Sequence, residues 1–118
     1  MISIKNNRTI RTVFYKSVKK YRKNIFISSL RLKPYQKKIE YTYDEVFIEV
    51  EKIKNVYLRA GYGVGDRIAL MIGNNPVHFF HKLVLNIIGS SVVPINPELN
   101  IKEANYILTH SGANLFIC

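Results

Sequence analysis

A chain of 118 residues with 47% hydrophobic side chains, four prolines and six glycines has the composition of a globular protein, with room for one domain or part of a larger one. It contains no apolar run of about 18 residues, which excludes an ordinary membrane-crossing helix; its single cysteine, Cys118, excludes an internal disulfide framework and fits a reducing compartment, so the cytoplasm is the expected location. The formal charge of +10 is concentrated at one end: residues 1–40 carry eight Lys and four Arg against Glu40 alone, whereas residues 41–118 carry six basic and seven acidic side chains.

The basic start, residues 1–20, reads as a helix or leader. Ile10, Val13, Phe14, Val18 and Tyr21 recur at spacings that make one helical stripe, with Arg11, Lys16, Lys19 and Lys20 mostly elsewhere. An acid-free basic segment can be a transit peptide. It can also be a binding surface, here residues 5–38, for nucleic acid or an anionic membrane. The plain alternative is a solvated helix face, and no nucleic-acid-binding motif accompanies the charge, so no nucleic acid partner is expected. Ile25, Phe26 and Ile27 form a short β-type run, residues 31–38 a polar connection containing Pro34, and residues 38–41 a second short strand.

Thr42-Tyr43-Asp44-Glu45 fits a capping box, with Glu45 expected to reach back to the Thr42 amide. Val46, Val50, Ile53, Tyr57 and Ala60 follow at helical spacing, and Gly61 supplies the stop. Arg67 to Ile72 is a strand with a continuously apolar core, the pattern of a parallel strand covered on both faces. Asn75-Pro76 opens a helix carrying Val77, Phe80, Val84, Ile87 and Ile88, which ends at Gly89. Ser91 to Ile95 is a strand and Asn96 to Leu99 a turn. Asn100 with Glu103 caps a helix through about Thr109, ended by Ser111-Gly112, and Asn114 to Ile117 begins another strand. The β-α-β-α-β order predicts an α/β fold with a parallel sheet and right-handed crossovers. The last strand stops at Cys118 without polar residues after it, so the chain is expected to be truncated and the remainder of its domain to lie beyond it.

The chemistry-bearing residues form no site that spacing alone would mark. Gly61, Gly63 and Gly65 suggest a nucleotide loop, but such loops follow a strand and open a helix, whereas these glycines follow a helix and precede a strand, as a tight turn would. His78 and His81 lie three apart with no Cys, Asp or Glu at ligand spacing, so they are expected to face solvent rather than hold a metal. His110 suits the last turn of its helix. Ser90, Ser91 and Ser111 sit at element ends, where capping and turn formation explain them. Asp44, Glu45, Glu49 and Glu51 complement a helix dipole. Cys118 has no activating neighbours in the sequence. No catalytic, cofactor-binding or metal-binding residue is therefore assigned.

Taken in succession, Tyr41-Thr42-Tyr43-Asp44-Glu45, Gly61 to Gly65-Asp66-Arg67-Ile68-Ala69, Asn74-Asn75-Pro76, Val93-Pro94-Ile95-Asn96-Pro97 and Glu103 to Leu108 with Ser111-Gly112-Ala113 resemble the opening of the large N-terminal domain of AMP-forming adenylating enzymes, over roughly Tyr21 to Cys118. The resemblance implies a partial AMP-binding domain over residues 21–118. It also implies a parent enzyme that joins a small carboxylic acid to AMP from Mg-ATP and then, in most members, to coenzyme A. The family's Ser/Thr/Gly-rich loop ending in Lys, its later acidic and aromatic motifs and its C-terminal lysine have no counterpart here; Ile88-Gly89-Ser90-Ser91 is the nearest run and leads into a strand. ATP, Mg2+ and CoA are thus implied for the parent and not for these 118 residues. Asn96, where peptide-synthetase domains usually have Asp, leans toward acyl-CoA and aryl-CoA ligases, with carnitine-type or medium-chain ligases as the expected kind; Ser90-Ser91 departs from the small Ala-type residues usual there.

Overall fold

The computed structural model describes residues 9–29, 33–35 and 37–118. Residues 1–8 of the basic leader, and 30–32 and 36 of the connection after it, lie outside the described residues. The chain runs α1 (Ile10–Tyr21), β1 (Ile25–Ser28), β2 (Glu40–Thr42), α2 (Tyr43–Arg59), β3 (Arg67–Leu70), α3 (Pro76–Ile88), β4 (Ser91–Pro94), α4 (Ile101–Ser111) and β5 (Leu115–Ile117).

β3 is the middle strand of a three-stranded parallel sheet of order β4-β3-β5, with Ile68 opposite Val92 and Leu115, and Leu70 opposite Pro94 and Ile117. The α3 crossover carries the chain from β3 to one neighbour. The α4 crossover then takes it over β3 to the other side. Crossovers of one hand that leave in opposite directions put their helices on opposite faces, and the core is divided accordingly. Ile68 and Leu70 belong to a large cluster with Val46 and Val50 of α2, Phe80, Val84 and Leu85 of α3 and Phe14 and Val18 of α1; Ala69 belongs to a second cluster with Ile95 and Ala104 of α4. The continuous apolar run of β3 therefore means what its pattern implied, since Ile68, Ala69 and Leu70 are each fully buried. β4 and β5, as edges of the described sheet, are only partly covered.

The antiparallel β1–β2 hairpin closes one end of the large cluster with rings. Phe26 stands edge-on to Tyr43 at 4.7 Å, and Tyr41 edge-on to Phe80 at 5.2 Å. The second strand lies later than residues 38–41, because Thr42 both ends β2, opposite Ile25, and caps α2. The first amides of α2 are satisfied from two sides: Tyr43 N–H donates to the Asn24 carbonyl (3.1 Å), Asp44 N–H to the Arg22 carbonyl (3.1 Å) and Glu45 N–H to Thr42 Oγ1 (3.2 Å). Glu45 does not reach the Thr42 amide; its carboxylate accepts from the Thr42 hydroxyl at 3.2 Å. The reciprocal capping box forms on α4 instead, where Asn100 N–H donates to Glu103 Oε2 (3.1 Å) and Glu103 N–H to Asn100 Oδ1 (2.9 Å).

Candidate functional site

Open parallel sheets take ligands beyond the carboxyl ends of their strands, beside the strand where the crossovers change direction. Here that strand is β3. A crevice of about 390 Å3 opens past the ends of β3 and β4, with Ile72, Asn74 and His78 on one side and Pro94, Asn96 and Pro97 on the other. Asn96 Oδ1 accepts the Glu98 N–H at 3.0 Å, which fixes the turn after β4. Nε2 of His78 is buried and has no hydrogen-bond partner. The lining offers amide groups and one imidazole but no carboxylate, lysine or arginine. It can hold a polar or apolar group, and it has no fixed charge to neutralise a phosphate.

The two histidines of α3 do not simply face solvent. His81 lies half-buried against α2, with Nδ1 2.8 Å from the Tyr57 hydroxyl. Burial, and then the charge of His78, hold its imidazolium below the ordinary histidine range, and burial pushes the Tyr57 phenol up to about 12. The clue was present in the sequence: His81 shares the spacing of three and four with Val84 and Ile88. A second polar contact that spacing did not reveal joins α1 to α2. Tyr15 donates to Glu51 Oε1 at 2.8 Å, and Lys54 Nζ donates to the Tyr15 oxygen (3.1 Å) and to Glu51 Oε1 (2.8 Å). Burial pushes the Glu51 carboxyl up, but the hydrogen bonds from Lys54 and Tyr15 and the lysine charge outweigh it and leave the group below its usual range.

Most of the remaining candidates have structural roles. Gly61 and Gly65 take left-handed backbone at φ 89° and 88°, and the turn between them is filled by the protein itself: Gly63 N–H donates to the Asp66 carboxylate at 2.8 Å and Ser90 Oγ to the Gly63 carbonyl at 2.6 Å. Ser111 Oγ donates to the Leu108 carbonyl at 3.2 Å, Asp44 pairs with Arg22 at 3.2 Å, and Glu49 with Lys52 at 3.3 Å. The His110 ring stacks on Tyr106 with centroids 4.0 Å apart and donates from Nδ1 to the Tyr106 carbonyl at 2.9 Å. Cys118 is exposed.

These residues do not fit a triphosphate or its magnesium ion. The strand-to-helix turn where a phosphate loop would sit, residues 71–75, has a single glycine, Gly73, and α3 then begins with Pro76, which has no N–H to offer. Each helix N-terminus is closed by its own N-cap side chain (Thr9, Thr42, Asn75 and Asn100), and Glu103 adds a carboxylate to that of α4. Among the described residues no three His, Cys, Asp or Glu side chains cluster to hold a metal ion.

The profile of the AMP-binding enzyme family matches residues 14–118. The chain belongs to that family. Its curated relatives include the crotonobetaine/carnitine–CoA ligase of Citrobacter koseri, 35% identical over 78 residues, and that of Proteus mirabilis, 31% identical over 78 residues; each match covers 66% of this chain and 15% of the relative. The chain thus spans about 15% of the length of the curated relatives it matches. Solved structures share the fold. The N-terminal subdomain of NpsA from Klebsiella oxytoca superposes with a TM-score of 0.78 at 21% identity, covering 92% of this chain and 27% of that one. A fatty acyl-adenylate ligase from L. pneumophila superposes with a TM-score of 0.81 at 19% identity, covering 92% and 19%. In the large N-terminal domain of this family the described elements are the β-α-β-α-β portion of a parallel sheet, preceded by a basic helix and a short hairpin. The comparisons give no support to the reading of residues 5–38 as a nucleic-acid or membrane binder. No helix among the described residues is long and apolar enough to cross a membrane.

Proposed function

We propose that the chain is the opening part of an ATP-dependent, AMP-forming carboxylate–CoA ligase, acting in the cytoplasm. In this reading residues 21–118 form part of the AMP-binding domain, and α1 leads into it, with Phe14 and Val18 already in the same core. The observation that carries the proposal is the family match over residues 14–118. The reaction is adenylation of a small carboxylic acid, with pyrophosphate released from Mg-ATP, followed by transfer of the acyl group to the sulfur of CoA. Crotonobetaine or carnitine is the first acid to try, since the curated relatives named above are ligases for these. The contribution of this segment is a scaffold: its helix N-termini are capped by their own side chains and it holds no carboxylate, lysine or arginine at the crevice past β3 and β4, so no residue of it is assigned to catalysis.

The test is carboxylate-dependent ATP–pyrophosphate exchange. The 118-residue chain alone is expected to be inactive, and the product of the complete gene is expected to exchange with crotonobetaine, carnitine or a related short acid. Exchange by the isolated chain would overturn the scaffold assignment. A complete-gene product inert toward a broad panel of carboxylic acids would overturn the ligase assignment.

A further inference from the structure

We draw no further inference here: the strongest candidate, the wholly apolar groove between α2 and the edge strand β5 lined by Ile53, Val56, Tyr57, His81, Leu115 and Ile117, carries none because nothing in the structure shows what covers it.

Discussion

The Tyr57 hydroxyl and Nδ1 of His81 meet at 2.8 Å across the α2–α3 contact, with the two rings nearly perpendicular at 89°. The phenol, pushed up to about 12, keeps its proton and shares a hydrogen bond with the imidazole. Because the folded protein holds the His81 pKa below the ordinary value of 6.5, the unfolded chain takes up the proton first. The stabilisation is fully present above 6.5 and is lost as pH falls through that value toward the lower folded one. Urea unfolding at about pH 7.5 and about pH 5 should therefore show a fall in stability that shrinks in His81→Gln. Identical pH dependence in the two proteins would refute the assignment. Tyr57→Phe should cost about 1 kcal/mol at the higher pH.

Removing the cap of α2 should be costly for its size. Thr42 Oγ1 is the acceptor for Glu45 N–H at 3.2 Å, and Thr42→Ala should destabilise by about 0.5–2 kcal/mol. Thr42→Ser keeps the oxygen and should lose much less. Equal losses in the two variants would place the effect in strand β2 and not in the cap.

Gly89 ends α3 at φ 82°, and a Cβ there would lie 2.9 Å from Cγ2 of Val64. Gly89→Ala combines the left-handed backbone penalty, about 1–2 kcal/mol, with a steric conflict. Val64 is 89% exposed, so Val64→Ala alone should change stability by less than about 0.5 kcal/mol. Combined with Gly89→Ala it should recover the steric part and leave the backbone part. Strict additivity of the two substitutions in denaturant unfolding would show that the close approach is not what limits position 89.

The two edges of the described parallel sheet differ in protection. β4 ends in Pro94, which cannot donate to an incoming strand, whereas β5 has no proline and presents Phe116 at 39% exposure. At low ionic strength the +10 charge opposes association. Raising salt from about 0.05 to about 0.5 M should promote self-association of the 118-residue chain through screening, read by sedimentation velocity, and Phe116→Lys should reduce it. A single monomeric species at high salt would contradict this role for β5.

The larger elements were legible because each has a local cause. Thr42, Asn75 and Asn100 cap, Pro76 starts α3, and Gly89 and Gly112 end α3 and α4 in left-handed backbone, so α2, α3 and α4 lie where their stripes and caps put them. The continuous apolar run of Ile68, Ala69 and Leu70 already required cover on both faces. What spacing could not supply were relations between elements. Whether Glu45 meets an amide or a hydroxyl depends on how the hairpin approaches α2. Whether His81 faces water depends on where Tyr57 lies, 24 residues earlier in the chain. The crevice past β3 and β4 is of the same kind, since Asn74 and Asn96 come together only through the α3 crossover.

The position of β3 between a strand that follows it directly and one that returns after a second crossover also bears on synthesis. As the polypeptide leaves the ribosome, β3 can pair with β4 once α3 has formed, but its other ladder edge has no partner until α4 and β5 have followed. Over that interval one half of the hydrogen-bonding capacity of the most buried strand is unclaimed, and Ala69 lacks the helix that covers it. Nascent chains stalled with residue 100 exposed should exchange the amide hydrogens of Ala69 and Met71, which face β5 (Met71 N–H donates to the Ile117 carbonyl at 2.8 Å), faster than chains stalled after residue 118, and equal protection would show that β3 is secured before its second neighbour arrives. Vectorial emergence thus makes the α4–β5 unit the step that removes the exposed strand from reach of chaperones.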